Sequence, residues 1–331
     1  MKRVLTLALV LSTLLVSAAF AQESLMAYAS VEQDLAVNLF KAFEKETGTK
    51  VEFVRLGSGE LEARIEAEKN DPQASIWVGG VGTNHISAQM KGLTLAYKSR
   101  AAANIPAQFK DKDGFWVGLY LGPLAITTNM NRAKELGLTP PTSWAELLKP
   151  EYKGKFRIAF PGSSGTGYNF LTTVIYLNNM DEDKAFAWLK KFADNCEKFE
   201  RSGPAPTNYV ATGEIPIAIG YAHDAVRAKA AGAPLQINIP SEGVGFELAS
   251  MSLIKGGKQA VLAKKLYDWI LGPSGQKIIA DFYVVPVQEG VAANPNAIPL
   301  AKIKTVNQDS IWDATNKARL QDRFSKEIGN K

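Results

Sequence analysis

Short apolar segments alternate with amphipathic segments of helical spacing almost from end to end of this chain, and that alternation restricts the fold to an α/β class built on parallel strand–helix–strand units. Leu25 to Tyr28 is the first apolar segment, and Leu35 to Thr47 follows with Leu35, Leu39, Phe40 and Phe43 on one helical face. Gly48 ends that helix. Lys50 to Arg55 predicts a second strand, the Gly57-Ser58-Gly59 turn leads to a helix over Glu60 to Lys69, and Ala74 to Val78 predicts a third strand. A loop of Gly79, Gly80, Val81, Gly82, Thr83 and Asn84 comes next. Open parallel sheets bind ligands at the carboxyl edge of their strands. Ser30, Ser58, Gly59 and Thr83, all in turns that follow strands, are therefore candidate ligand contacts.

The apolar, glycine-containing run from Trp116 to Thr128 opens a second block. Its expected elements are a helix from Trp144, a strand over Arg157 to Phe160, the turn Pro161 to Gly167 before a long helix, and a strand over Ile215 to Ile219. After Met251 the chain returns to helices rich in Lys and Leu that match the first block in composition. Two lobes are expected, the first from residues 22–120 plus 254–331 and the second from 121–253. Strands near Trp116 to Ile126 and Phe246 to Ile254 would cross between them.

The amino terminus predicts export. Lys2 and Arg3 precede an apolar or small run from Val4 to Val16, then Ser17, Ala18, Ala19, Phe20 and Ala21. This is a charged region, an apolar core and a small-x-small processing site, so cleavage is expected after Ala21, in a periplasmic or secreted protein. The run is shorter than a membrane anchor needs. With Lys2 and Arg3 removed, the formal charge of +5 falls by two, and no block of like charges marks a nucleic-acid or membrane surface. Cys196 is the single cysteine, so no internal disulfide is possible.

Two constellations can carry chemistry. Pro161-Gly162-Ser163-Ser164-Gly165-Thr166-Gly167 joins a strand to a helix, where hydroxyls, unpaired amides and the helix dipole favour an anion. The same serines can simply cap the helix, and residue type alone supports both roles. No Walker Gly-Lys-Ser/Thr follows. His223 and Asp224 stand at the end of a strand, with Glu247 on the next crossover, an acceptor-rich set suited to sugar hydroxyls. A lone histidine is commonly structural, and the set lacks the spacing of a metal motif. Neither a Gly-x-Ser-x-Gly elbow nor a His-Glu-x-x-His pair is present, so binding is favoured over catalysis, with no cofactor and no resident metal expected.

Ala27-Tyr28-Ala29-Ser30, Ala74-Ser75-Ile76-Trp77, Pro161 to Gly167, Thr212-Gly213-Glu214-Ile215 and Leu271-Gly272-Pro273-Ser274-Gly275-Gln276 resemble, in order and spacing, a periplasmic solute-binding protein of ABC transporters. The closer resemblance is to the ferric-iron-binding subfamily. It implies a type II arrangement of two lobes, each a mixed, mainly parallel sheet flanked by helices, with the ligand between them. Iron-binding members carry two consecutive tyrosines after the strand equivalent to Ile215 to Ile219, and a His and a Glu in the first lobe. Here the tyrosine positions fall at Ala222 and His223, and the first-lobe positions near Val31 or Glu32 and at Gly80, so the hard anionic oxygens for Fe(III) are missing. His223, Asp224 and Glu247 resemble instead the hexose-phosphate branch. That resemblance implies phosphate on Ser163, Ser164, Gly165, Thr166, Ser30, Ser58 and Gly59, and sugar on His223, Asp224, Glu247 and Thr83. Implied partners are a small anionic ligand and a membrane permease, for a monomer that closes around its ligand. A ferric carrier, or a secreted organophosphate hydrolase, are the alternatives.

Overall fold

The computed structural model describes residues 24–329, so the leader and its expected cleavage site lie outside the described residues. In chain order the first elements are β1 (Ser24–Ala29), α1 (Gln33–Thr47), β2 (Lys50–Arg55), α2 (Ser58–Ala67), β3 (Ile76–Val81), α3 (Gly82–Met90) and β4 (Thr94–Leu95). The long strand β5 (Val117–Asn129) leads through α4 (Met130–Leu136) into β6 (Phe156–Ala159), α5 (Gly165–Leu177), α6 (Glu182–Asn195) and β7 (Lys198–Glu200). Then come α7 (Ala205–Thr212), β8 (Ile217–Tyr221), α8 (Ala222–Ala230) and β9 (Leu235–Asn238). Strand β10 (Phe246–Ile254) is followed by α9 (Ala260–Leu271), α10 (Pro273–Asp281), β11 (Val285–Pro286) and α11 (Ser310–Glu327).

The strands run in the order β2-β1-β3-β10-β5-β8-β6-β7. Strand β5 is long enough to serve both halves. Its first residues pair with β10 and β11, and its last with β8 and β9. Two cores result, one around Leu25, Leu39, Phe43, Val78, Met251 and Ile270, the other around Ile126, Phe156, Leu171, Phe192 and Ile219. The protein is thus a two-lobed α/β structure. The sheet is mixed: β1 is parallel to β2 and β3, and β6 to β7 and β8, whereas β5 and β10 run antiparallel to their neighbours. A strand arriving from the other lobe has no crossover helix on the sheet it joins, and antiparallel pairing does not require one.

Local sequence explains the elements of the first lobe. Helix α1 buries Leu35, Leu39, Phe40 and Phe43, and Gly48 closes it in the left-handed conformation at φ 73°. Each such buried side chain contributes about 1.5–3 kcal/mol. Helix α11 was expected with the first lobe. Its Leu320 and Phe324 nevertheless pack into the second core, while its Lys317 reaches Glu62 of α2. Trp77 is fully buried and stacks on His85 at 3.9 Å between ring centres.

Candidate functional site

Strand β2 leads into α2, β3 into α3, and β8 into α8 with hardly an intervening residue, and β6 reaches α5 through the turn at Pro161 to Ser164. The first turns of these helices therefore sit at the carboxyl ends of the strands, where unpaired amides and helix dipoles favour negative charge. Ser58, Gly165 and Thr166, expected in loops, belong to helical first turns. Ser30, Ser58, Ser164, Gly165 and Thr166 come together on one cavity, which Asp224 and Glu247 also line.

The hydroxyls of this group are held in place by the backbone. The Ser164 hydroxyl accepts from the Thr166 amide at 3.2 Å, so the capping role is real and coexists with a place on the cavity. The Ser58 hydroxyl accepts from the Val81 amide at 3.3 Å, and Trp77 Nε1 donates to Ser30 Oγ at 3.0 Å.

Four expected contacts, Ser163, Gly59, Thr83 and His223, do not line this cavity. Ser163 turns away and donates to the Arg201 carbonyl at 2.9 Å. Gly59 faces the turn of the opposite lobe, where an added Cβ would come 2.9 Å from the Gly162 carbonyl oxygen. Glycine there lets the lobes meet. Thr83 is buried in the first turn of α3 and does not line the cavity, because β3 runs on through Gly79 and Gly80 to Val81 and the helix starts at once. Gly80, at φ +90°, lies against Ser58 and Ser30, and a Cβ would come within 2.5 Å of the Ser58 hydroxyl.

The cleft is also acidic. Glu32, His223, Asp224 and Glu247 are exposed by 8%, 4%, 3% and 4% respectively. His223 Nε2 lies 3.7 Å from Glu32 Oε1 and 3.6 Å from Glu247 Oε1. The imidazole fits because Gly122, paired with Glu247 on β5, leaves room. A Cβ at Gly122 would come 2.5 Å from His223 Nδ1. Tyr221 stacks beside the ring at 5.7 Å, and Tyr120 meets it edge-on at the same distance.

Burial and charge shape the protonation of this group. Burial alone would depress His223, but Glu32, Asp224 and Glu247 hold it up at about 9. Burial pushes Asp224 up to about 7 and Glu247 to about 8. Glu32 also bears the cost of burial, yet the nearby His223 brings it below the ordinary glutamate value. Tyr221 and Tyr120 are pushed well above the ordinary phenol value, chiefly by burial and by the neighbouring carboxyl groups. Ligand atoms of Glu32, His223 and Asp224 lie within 4.8 Å of one another, close enough to hold a cation.

Glu32, Arg55, Gly57, Gly80, Gly203, Pro204 and Tyr221 also line the cavity. Glu32 entered the sequence reading only as a position opposite an iron ligand. It lies just past β1 and Arg55 is the last residue of β2, at the carboxyl edge already used for Ser30 and Ser58, and that signal would have found them. Gly203 and Pro204 left no such signal. Arg55 donates to the Val31 carbonyl at 3.1 Å and to the Ser202 hydroxyl at 3.0 Å, bridging the lobes.

A buried polar cleft between two lobes is the arrangement of proteins that close on a ligand by hinge motion. The chain belongs to the bacterial extracellular solute-binding protein family, whose model matches residues 85–313. It is 34% identical over 297 residues to an uncharacterized protein of Haemophilus influenzae, covering 87% of this chain and 85% of that one. Among solved structures it is similar to the periplasmic binding protein AfuA of Actinobacillus pleuropneumoniae with fructose-6-phosphate bound. The TM-score is 0.89 with 34% identity, over 93% of this chain and 99% of that one. Iron-bound HitA of Pseudomonas aeruginosa shares the fold, at a TM-score of 0.76 and 20% identity over 91% and 99% of the two chains.

Proposed function

We propose that this protein is the periplasmic solute-binding component of an ABC importer and captures a small organic phosphate, a hexose phosphate first, by closure of its lobes. The observation that carries the ligand class is the meeting, in one cavity, of helix first turns bearing Ser58, Ser164, Gly165 and Thr166 with the buried acceptors Asp224 and Glu247. Helix first turns supply several donors to one anion without a buried counter-charge. Carboxylates facing hydroxyls discriminate against analogues that lack them. The 34% identity to a neighbour holding fructose-6-phosphate supports the same class.

Closure buries the ligand and presents a surface that a membrane permease distinguishes from the open form. The mature protein would begin after Ala21 and act as a monomer, with residues 22–120 and 254–331 forming most of one lobe and 121–253 the other. Binding without turnover is the expected behaviour. Calorimetry with glucose 6-phosphate, fructose 6-phosphate, inorganic phosphate and Fe(III) tests the reading. It fails if no phosphate ester binds, or if Fe(III) binds with a visible charge-transfer band that Tyr221→Phe abolishes. Free phosphate released during incubation with glucose 6-phosphate would establish the hydrolase alternative instead.

A further inference from the structure

We propose that Trp77, which does not line the cleft, is a positioning residue for the phosphate: its indole N–H, backed by His85, fixes the Ser30 hydroxyl so that the serine proton is left for the ligand. The inference rests on the phosphate reading above and names what prepares the anion end in the first lobe. Trp77 is fully buried on β3, opposite Tyr28 of β1 on one side and Ser252 of β10 on the other. Its ring lies on His85 with 24° between the planes. The imidazole is itself tied at both nitrogens, Nε2 to the Gly79 carbonyl at 3.1 Å and Nδ1 to the Ser252 hydroxyl at 2.8 Å. Burial pushes His85 down to about 4, so the ring is neutral and carries one proton. A carbonyl only accepts, which assigns that proton to Nε2 and leaves Nδ1 to accept from Ser252.

A buried indole N–H needs a partner, and here the partner stands on the ligand cavity: Ser30 Oγ, at 3.0 Å. A serine hydroxyl has one proton and two lone pairs. One lone pair is taken by Trp77, and among the described residues no acceptor of the chain takes the proton. Ser58 is prepared in the same way. Its hydroxyl accepts from the Val81 amide at 3.3 Å, and Val81 stands two residues after Gly79, whose carbonyl His85 holds. One buried ring pair thus supports two cavity hydroxyls, each with a proton to donate, and a phosphate dianion offers only acceptors. Packing alone would need neither the indole N–H nor the imidazole.

Trp77→Phe keeps an aromatic ring beside His85 and removes the donor. Calorimetry is expected to show glucose 6-phosphate and inorganic phosphate weakened alike, by about three- to tenfold, because the loss falls on the anion end that both ligands use. In a Ser30→Ala background the same substitution should cost less than about twofold, since the hydroxyl through which Trp77 acts is gone. A tryptophan that acted by shape alone would give losses that multiply, and that result would overturn the proposal. Ser30→Ala by itself leaves the buried indole N–H without its acceptor, so the melting temperature of the ligand-free protein should fall by roughly 2 °C or more. An unchanged melting temperature would overturn the proposal even if Trp77→Phe did not fold. If the unaltered protein binds neither phosphate, the phosphate reading falls and the proposal with it; if it binds them and the losses multiply, the role of Trp77 alone is wrong.

Discussion

Two buried acidic sites in this protein have opposite characters. Glu62 of α2 is 2% exposed and fully engaged: Asn84 donates to it at 2.8 Å, Ser87 at 2.6 Å, Lys91 lies at 3.0 Å, and Lys317 of α11 makes a direct ion pair. Burial works against its charge, but Lys317, Ser87 and Lys91 outweigh that cost and keep it below the ordinary glutamate value. Glu247 is nearly as buried, at 4%, and faces a single shared histidine, and its carboxyl is pushed up to about 8. A buried carboxylate whose partners come from the chain is part of the fold. One whose partners are missing is arranged for something the chain does not supply.

The comparison is broken most forcefully at Lys317. Replacing it by Met leaves Glu62 charged and buried with fewer donors, and we expect a loss of about 3–5 kcal/mol in unfolding free energy. Chemical denaturation of the ligand-free protein measures it. A loss below about 1 kcal/mol would mean that Glu62 is no better satisfied than Glu247, and the contrast would fail.

The next largest effect is expected in the cleft and on affinity instead. Asp224→Ala should weaken an organic phosphate by about 1–3 kcal/mol, roughly 5- to 150-fold, because ligand donors are then left unpaired in a closed site. Inorganic phosphate, which reaches only the helix first turns, should be nearly indifferent. Equal weakening of both ligands in calorimetry would sink this division of roles.

Proton linkage sharpens the contrast further. His223 at about 9, Asp224 at about 7 and Glu247 at about 8 all lie above their ordinary values of 6.5, 3.8 and 4.5. Each therefore contributes stability that is complete below its ordinary value and is lost as pH rises through the raised one. The ligand-free protein should lose stability between pH 5 and pH 9, by at least about 1 kcal/mol. Thermal melts across that range should flatten in the double variant Asp224→Asn with Glu247→Gln. A profile as steep as that of the unaltered protein would refute the assignment. Glu32, moved in the opposite direction, contributes stability that is complete above its ordinary value of 4.5 and is lost as pH falls through the lowered one.

The smallest effect is expected at the rim. Arg201 pairs with Glu60 across the lobes, but its side chain is 83% exposed, and Arg201→Ala should cost less than about 1 kcal/mol. Small-angle scattering that found the lobes fully parted in this variant, even with ligand bound, would promote the pair from ornament to latch.

Much of the fold was legible because local pattern decides it. The apolar face of α1, its glycine stop and the bounds of β2 follow from spacing and residue type, and they occur where that pattern puts them. Boundaries at the cleft were less legible. Gly79 and Gly80 resemble a loop in sequence, yet they continue β3, with φ at +76° and +90°. Thr83 was thereby drawn into a helix and away from the ligand space. Ser163 and Gly59 carry the right residue types at the right edge, but the Ser163 hydroxyl is taken by the Arg201 carbonyl and Gly59 by the turn of the opposite lobe, which no local pattern reveals.

The sequence by itself determined the α/β class, the glycine- and serine-rich first turns at the carboxyl edge, and the presence of His223, Asp224 and Glu247 near it, because propensity, periodicity and capping act over a few residues. Only the tertiary structure decided which of those groups share a cavity, that Glu32 joins them, and that Glu62 has cations where Glu247 has few. Desolvation and Coulomb energy depend on distances between residues up to 255 positions apart, as Lys317 is from Glu62, and on the burial that only the closed lobes create.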